Sequence, residues 1–248
     1  MTPCYAPVVP TTVAAPATER SRHSAVVRVT HWITVLCFVA LLVTGVEILL
    51  SHPRFYWGET GNVNMHPLFT LHVPSSRAMV PTGYAVLPDQ NGWSRYLHFE
   101  AAWLIVLTGI VYVLASLWNG HLRRDLLPVR GQRDWKAYTA VLAKYLHRAP
   151  VKERGAYNAV QRAVYLGVIF GLLPLLIWSG LALSPAIGSV APWMVEALGG
   201  RQSARTLHFF ATIALVLFFV VHVAMVALAG FWSRTRAMVT GVVKEEQL

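Results

Sequence analysis

The chain has 248 residues, of which 55% are hydrophobic and only 13% are charged. Because soluble globular proteins carry about 25% charged residues, this composition excludes an ordinary water-soluble domain and indicates a membrane protein. The formal net charge is +10. Since the cytoplasmic loops of membrane proteins retain Lys and Arg, this charge predicts contact with anionic membrane lipid and no binding of nucleic acid.

Residues 1–25 are rich in Ala, Pro and Thr and lack the apolar core of a signal peptide, so we expect a mobile cytoplasmic arm. The two cysteines of the chain are Cys4 and Cys37, and Cys37 lies in an apolar stretch. A disulfide framework is therefore not expected. The sequence has no C-x-x-C-H motif for covalent haem attachment and no paired C-x-x-C motif for zinc or iron–sulfur.

Four apolar stretches are long enough to cross about 30 Å of hydrocarbon at about 1.5 Å per helical residue. They predict an all-α membrane protein, with a four-transmembrane-helix bundle in residues 26–235 and a cytoplasmic tail at 236–248. The predicted spans are 29–50, 96–118, 160–183 and 206–231.

The distribution of positive charge predicts the orientation. The loop 119–159 contains nine Lys and Arg, whereas the loop 51–95 contains three. The positive-inside rule therefore places the middle loop and both termini in the cytoplasm, and the loops 51–95 and 184–205 outside.

The outer loop 51–95 is rich in Pro, Gly and aromatic residues, which suits an interfacial aromatic belt or a docking surface. It also contains His52, His66 and His72, which could bind a metal, although neither cysteine nor a regular spacing accompanies them.

Four histidines lie within or at the edge of the predicted spans, where ionisable groups are costly and by default mark function. They are His31, His98, His208 and His222. The simplest alternative is that each one hydrogen-bonds a neighbouring helix. His208 and His222 are 14 residues apart, so they point to one face of the fourth helix at levels about 21 Å apart.

The orientation sorts these histidines into two pairs of equal depth. The first helix starts inside, so His31 lies at the inner level with His222. The second helix starts outside, so His98 lies at the outer level with His208. This arrangement predicts two haems, one in each leaflet, with two histidines as the axial ligands of each iron.

Three of the four histidines follow an arginine by three residues, one helical turn closer to water. These arginines, Arg28, Arg95 and Arg205, are predicted to pair with haem propionates, a contact that suits a guanidinium. The alternative is that they are ordinary arginines snorkelling to the interface.

Two glycines fall where a flat macrocycle would need room. Gly45 follows His31 by 14 residues and lies at the outer level, and Gly109 follows His98 by 11 residues, nearer the inner level. Ordinary helix contacts are the alternative for both. The third span has no histidine and is expected to pack beside the other helices and complete the bundle. Pro174 and Gly180 are expected to kink it.

The four histidines resemble the pattern of the di-haem cytochrome b membrane subunits, a family that includes bacterial cytochrome b561-like proteins. The likeness rests on the R-x-x-H-W opening at 28–32, on His98 early in its helix, and on the pair His208 and His222. Members include the gamma subunit of formate dehydrogenase and the cytochromes b of nickel–iron hydrogenase and thiosulfate reductase. The resemblance implies a haem b anchor in the bacterial inner membrane, with a quinone site near the inner haem.

The resemblance also implies a catalytic oxidoreductase partner, either hydrogenase-like or molybdopterin-dependent. The stretch 52–61 is most similar to members that accompany a molybdopterin enzyme of the sulfite oxidase type, and the long outer loop departs from the compact hydrogenase-type subunits. Two other functions stay open: a self-contained transmembrane reductase of a small external oxidant, and a haem-free anchor or transporter.

Overall fold

The computed structural model describes residues 20–21, 24–62, 64–72, 92–120, 122–127, 134–147 and 158–243. Four long helices dominate these residues and are apolar enough to cross a membrane, each with 25 residues or more. The prediction of an all-α membrane protein with four spans is therefore confirmed. The spans are α1 (Ala25–Ser51), α2 (Gly92–Trp118), a third helix at Ala159–Leu183, and α8 (Arg201–Leu228).

The third span changes its helical geometry part-way. It consists of α4 (Ala159–Gly167), a π-helical segment (Val168–Leu172) and α5 (Leu173–Leu183). Asn158 and Gln161 form a reciprocal capping box that fixes where α4 begins. The π segment ends two residues before Pro174, which has no N–H to donate, so the helix adjusts its hydrogen bonding there.

The spans pack through small side chains. The buried residues of α1 recur every seven positions and are Thr30, Cys37, Thr44 and Ser51. Those of α2 recur every seven or eight and are Ser94, Ala101, Thr108 and Ser116. A seven-residue spacing is typical of helices that wrap around each other, and small side chains let the two backbones approach closely. α1 and α2 thus form one helical hairpin, and α5 packs along α8 to form a second.

The connections that are predicted to face outward contain short elements that the sequence did not predict. β2 (Arg54–Phe55) pairs with β3 (Phe69–Thr70) as an antiparallel ladder. After the third span, α6 (Pro185–Val190) and α7 (Trp193–Glu196) lead into α8. In the β2–β3 ladder, Phe55 is buried and stacks on Phe69, with the ring centroids 4.6 Å apart.

The side that is predicted to face inward also contains more structure than the sequence predicted. A π-helical turn (Leu122–Leu126) and α3 (Trp135–Leu146) lie in the predicted middle loop. Gly230 turns the chain with φ +99°, so the fourth span ends at Leu228 and α9 (Phe231–Thr240) follows it. β1 (Arg20–Ser21) pairs with β4 (Val242–Val243). The rest of the predicted arm, residues 1–19 and 22–23, and the end of the tail, 244–248, lie outside the described residues.

Candidate functional site

The structure brings the four span histidines together in two pairs. The ring centroids of His31 and His222 are 6.4 Å apart, with the ring planes inclined by 59°. Those of His98 and His208 are also 6.4 Å apart, with the planes inclined by 65°. These are the two pairs that helix orientation predicts. Because α8 carries one member of each pair, 14 residues apart, the two pairs lie at levels about 21 Å apart.

The spacing within each pair suits two imidazoles that share one metal ion. A metal–imidazole bond is about 2.0 Å and a ring atom lies about 1.1 Å from its ring centroid, which places the two centroids about 6 Å apart. A direct N–H···N hydrogen bond between the rings would bring them to about 5 Å. The observed 6.4 Å is therefore closer to the metal-bridged spacing than to that of a simple polar contact between helices.

At the outer pair, each histidine is held by a hydroxyl from the neighbouring helix of its own hairpin. Nδ1 of His98 lies 2.9 Å from Oγ1 of Thr44, and Nδ1 of His208 lies 2.9 Å from Oγ of Ser179. Neither hydroxyl was predicted from the sequence. The available signal was a repeated dipeptide, a hydroxyl residue followed by glycine, in the first and third spans.

The predicted glycines differ in their surroundings. A Cβ added at Gly45 would lie 3.6 Å from Cε1 of His98, so Gly45 makes room for the imidazole. Gly180, which was expected only to kink the third span, has the same relationship to His208, at 3.4 Å. No described atom lies within 4 Å of a Cβ added at Gly109, so that position faces open space.

The inner pair has aromatic neighbours. The ring of His31 lies edge-on to Trp32, with the centroids 5.5 Å apart, and that of His222 stacks on Phe218 at 5.8 Å. Between the two levels, Phe38 and Phe219 pack with their centroids 4.8 Å apart and join α1 to α8.

The three arginines that precede the histidines lie in different environments. Arg28 donates from Nη1 to the carbonyl oxygen of Val239, 2.7 Å away, and its buried Nε has no hydrogen-bond partner among the described residues. Arg95 is exposed. Arg205 donates to the carbonyl oxygen of His52 and lies over the ring of Phe55, 4.9 Å from its centroid. The unpartnered Nε of Arg28 is a donor that a carboxylate could satisfy.

The outer loop is hydrogen-bonded to the start of the helix that carries His208 and His222. The carbonyl oxygen of Gly58 accepts from the N–H groups of Gln202 and Ser203, and the Glu59 carboxylate accepts from that of Arg201. These acceptors satisfy N–H groups that the first turn of a helix leaves free. These contacts fix the start of the helix that carries His208.

The predicted alternative of a metal site at His52, His66 and His72 receives no support. Within the part of the chain that the structure describes, no three His, Cys, Asp or Glu side chains come together as a metal site. Each of the two histidine pairs could supply two ligands, the number that an iron already bound by a macrocycle would require.

The sequence profile of the family described as prokaryotic cytochrome b561 matches residues 22–241. The chain belongs to this family. The predicted resemblance to the cytochrome b membrane subunits is therefore confirmed. Membership, together with the four spanning helices, makes this prokaryotic cytochrome b561 a membrane protein that transfers electrons through b-type haem.

Relatives of this cytochrome b561 are named as subunits of oxidoreductases. The YedZ1 protein of Azospira oryzae, a putative protein-methionine-sulfoxide reductase subunit, is 32% identical, and the alignment covers 83% of this chain and 90% of the relative. A probable Ni/Fe-hydrogenase B-type cytochrome subunit of Rhodobacter capsulatus is 25% identical, with 81% and 71% covered. A protein of the same description from Bradyrhizobium diazoefficiens is 22% identical, with 91% and 84% covered.

Proposed function

We propose that this cytochrome carries two haems b, one held by His31 and His222 and the other by His98 and His208, and transfers electrons across the membrane between the quinone pool and a catalytic oxidoreductase partner. The observation that carries the proposal is the equal 6.4 Å spacing of two histidine pairs at two depths. Two unrelated polar contacts between helices would not be expected to share one spacing.

The residues of each pair determine the kind of chemistry. A haem iron with histidine at both axial positions has no open site for oxygen or substrate, so it supplies one-electron transfer. In each pair the two histidines would hold the iron from two different helices, α8 and either α1 or α2. The buried Nε of Arg28, at the inner level, is the donor best placed to pair with a propionate.

The distribution of charge supports an orientation in the bacterial inner membrane with both termini in the cytoplasm. In this orientation His31 and His222 form the cytoplasmic pair, and the 54–72 hairpin faces outward. The pairing of β1 with β4 supports the location of both ends on one side.

A quinone site is proposed next to the inner pair. An open apolar depression of about 590 Å³ lies at the start of α1 and against α9, lined by residues that precede and follow His31 in the chain. Trp32 and Arg28 line it and both donate to carbonyl oxygens of α9, which keeps this helix against α1. The remaining lining residues are Val29, Ile33, Leu36, Met238 and Val239.

The partner is proposed to be a molybdopterin-dependent oxidoreductase on the outer face. The relative with 32% identity is named as a methionine-sulfoxide reductase subunit, and the 52–61 stretch forms a folded outer surface on α8. A hydrogenase partner is the alternative that the other relatives' names support.

Counting the haems of single-histidine variants tests the proposal. We expect two haems per purified chain by the pyridine haemochrome assay, and one in each of the variants His98→Ala and His222→Ala. Redox titration should show that these two variants lose different centres. His66→Ala, which removes an exposed imidazole from the outer loop, is the matched control and should retain both. A colourless wild-type chain after expression with ample haem, or loss of the same centre in both variants, would contradict the proposal.

A further inference from the structure

We propose that Thr44 and Ser179 are positioning residues that fix the tautomer and orientation of the two outer histidines, His98 and His208. This inference rests on the proposed haem ligation and concerns the residues behind the ligands. Each hydroxyl contacts Nδ1 of its histidine, on the side of the ring away from the atom that would bind iron.

The proton positions follow from the contacts of Thr44. Its Oγ1 lies 2.7 Å from the carbonyl oxygen of Ala40, one turn earlier in α1. Two oxygens approach this closely only when a hydrogen lies between them, and the carbonyl has none, so Thr44 donates to Ala40. The same Oγ1, 2.9 Å from Nδ1 of His98, must then accept, so Nδ1 of His98 carries a hydrogen.

Ser179 makes the corresponding contacts at the other histidine of the outer pair, His208. Its Oγ donates to the carbonyl oxygen of Leu175, 2.6 Å away, and accepts from Nδ1 of His208 at 2.9 Å. Both Thr44 and Ser179 are completely buried. A neutral imidazole with a hydrogen on Nδ1 leaves Nε2 as the bare nitrogen, which is the form that a metal requires.

The residue after each hydroxyl completes the arrangement. Gly45 and Gly180 lie against Cε1 of His98 and His208, where a Cβ would be 3.6 Å and 3.4 Å from that atom. In each hairpin, the first helix supplies the hydroxyl and the glycine, and the second supplies the histidine. The two halves of the chain therefore hold their outer histidines in the same way, although the sequence spacing is 54 residues in one half and 29 in the other.

The inner pair is held differently. Among the described residues, His31 and His222 have Trp32 and Phe218 as ring neighbours and no hydroxyl contact. A hydrogen bond donated from Nδ1 raises the basicity of an imidazole ligand and so favours the oxidised metal. The hydroxyls therefore lower the midpoint potential of the outer haem and leave that of the inner haem unchanged.

The test compares Thr44→Val and Ser179→Ala with the wild-type chain. Both remove a hydroxyl without adding bulk, so we expect two haems per chain in each. The low-spin electron paramagnetic resonance signal of the outer haem should shift and its midpoint potential should rise, with the inner haem unchanged. Thr44→Ser, which retains the hydroxyl, should restore both outer-haem values. Thr34→Val is the control, because the Thr34 hydroxyl contacts only the backbone of its own helix, at Thr30.

The two proposals fail in different ways. If the wild-type chain contains no haem, the proposed function is wrong. If haem is present and both hydroxyl variants have the outer signal and potential of the wild type, the positioning role is wrong while ligation stands. Should Thr44→Val not accumulate in the membrane, Ser179→Ala provides the same comparison at the opposite ligand.

Discussion

The backbone N–H of Gly58 donates a 2.7 Å hydrogen bond to Oγ of Ser203, in the first turn of α8. Ser203 is completely buried, and its hydroxyl in turn donates to the carbonyl oxygen of Gly199. This contact fastens the outer loop to the helix that carries His208 and His222, although about 145 residues separate its partners in the chain.

Replacing Ser203 should loosen this connection. In Ser203→Ala the N–H of Gly58 loses its acceptor in a buried place, which costs about 1–3 kcal/mol. We expect a lower midpoint of thermal unfolding in detergent and faster proteolysis within the outer loop. Ser189→Ala removes an exposed hydroxyl from α6 and should leave both measurements unchanged. Equal unfolding midpoints for the two variants would contradict the expectation.

Gly200, the residue before α8, lies against the backbone of the outer loop. Its φ is +108°, and a Cβ at this position would lie 2.5 Å from the carbonyl carbon and oxygen of Gly58. Gly200→Ala therefore combines backbone strain with a steric clash and should displace the loop. Gly120→Ala is the matched comparison, since Gly120 has φ +67° with open space around it. Thermal unfolding should show that the free energy of unfolding falls by about 1 kcal/mol in Gly120→Ala and by clearly more in Gly200→Ala.

Gly45 limits the size of the residue beside His98. An alanine Cβ would make an ordinary contact at 3.6 Å, so Gly45→Ala should retain both haems. The branched side chain of Gly45→Val has atoms beyond Cβ that would meet the imidazole, and we expect selective loss of the outer haem. Gly171→Val, at an exposed position with open space, is the control. Haem content and redox titration of the three purified variants provide the measurement; two normal haems in Gly45→Val would be the contrary result.

Arg28 distinguishes a charge effect from a packing effect at the inner level. Arg28 and Trp32 both donate to carbonyl oxygens of α9, so either substitution weakens that contact. Only Arg28→Gln removes a positive charge near the inner pair, which should lower the midpoint potential of the inner haem. Trp32→Phe should leave this potential unchanged. Redox titration of both variants checks the difference, and equal shifts in the two would indicate that Arg28 acts through α9 alone.

The sequence was sufficient to predict the four spans and the pairing of the four histidines by depth. Both depend on quantities that a single chain contains: the length of an apolar stretch, the direction in which each helix runs, and the 14-residue interval in α8. His31 and His222 come together because their helices run in opposite directions through a bilayer of fixed thickness. No knowledge of helix crossing angles was needed.

The contacts behind the outer histidines could not be predicted in the same way. Which residue of α1 lies opposite His98 depends on how the two helices are rotated about their axes, and only their packed structure fixes that rotation. Thr44 is one of several hydroxyl residues in α1, and within that helix only the glycine that follows it sets it apart from the others. The seven-residue spacing of the small buried positions was a second missed signal, because it marks the face that α1 turns toward α2.

The outer loop escaped prediction for a further reason. β2 and β3 have two residues each, too few for an alternating pattern to be recognised. Arg205 was assigned to a propionate from its spacing and its predicted place on the outer side, whereas the structure shows its contacts with the His52 carbonyl and the Phe55 ring. Whether it also contacts a propionate stays a prediction.

Each histidine pair takes one ring from the α1–α2 hairpin and the other from α8. Under the proposed ligation, a fragment that contains only the α1–α2 hairpin or only the α5–α8 hairpin would have one histidine of each pair. Neither cofactor site would be complete in such a fragment. A chain cut short during synthesis would then retain no redox-active centre. Such a chain could therefore not leak electrons to oxygen. Haem binding would thus depend on the packing of the two hairpins against each other.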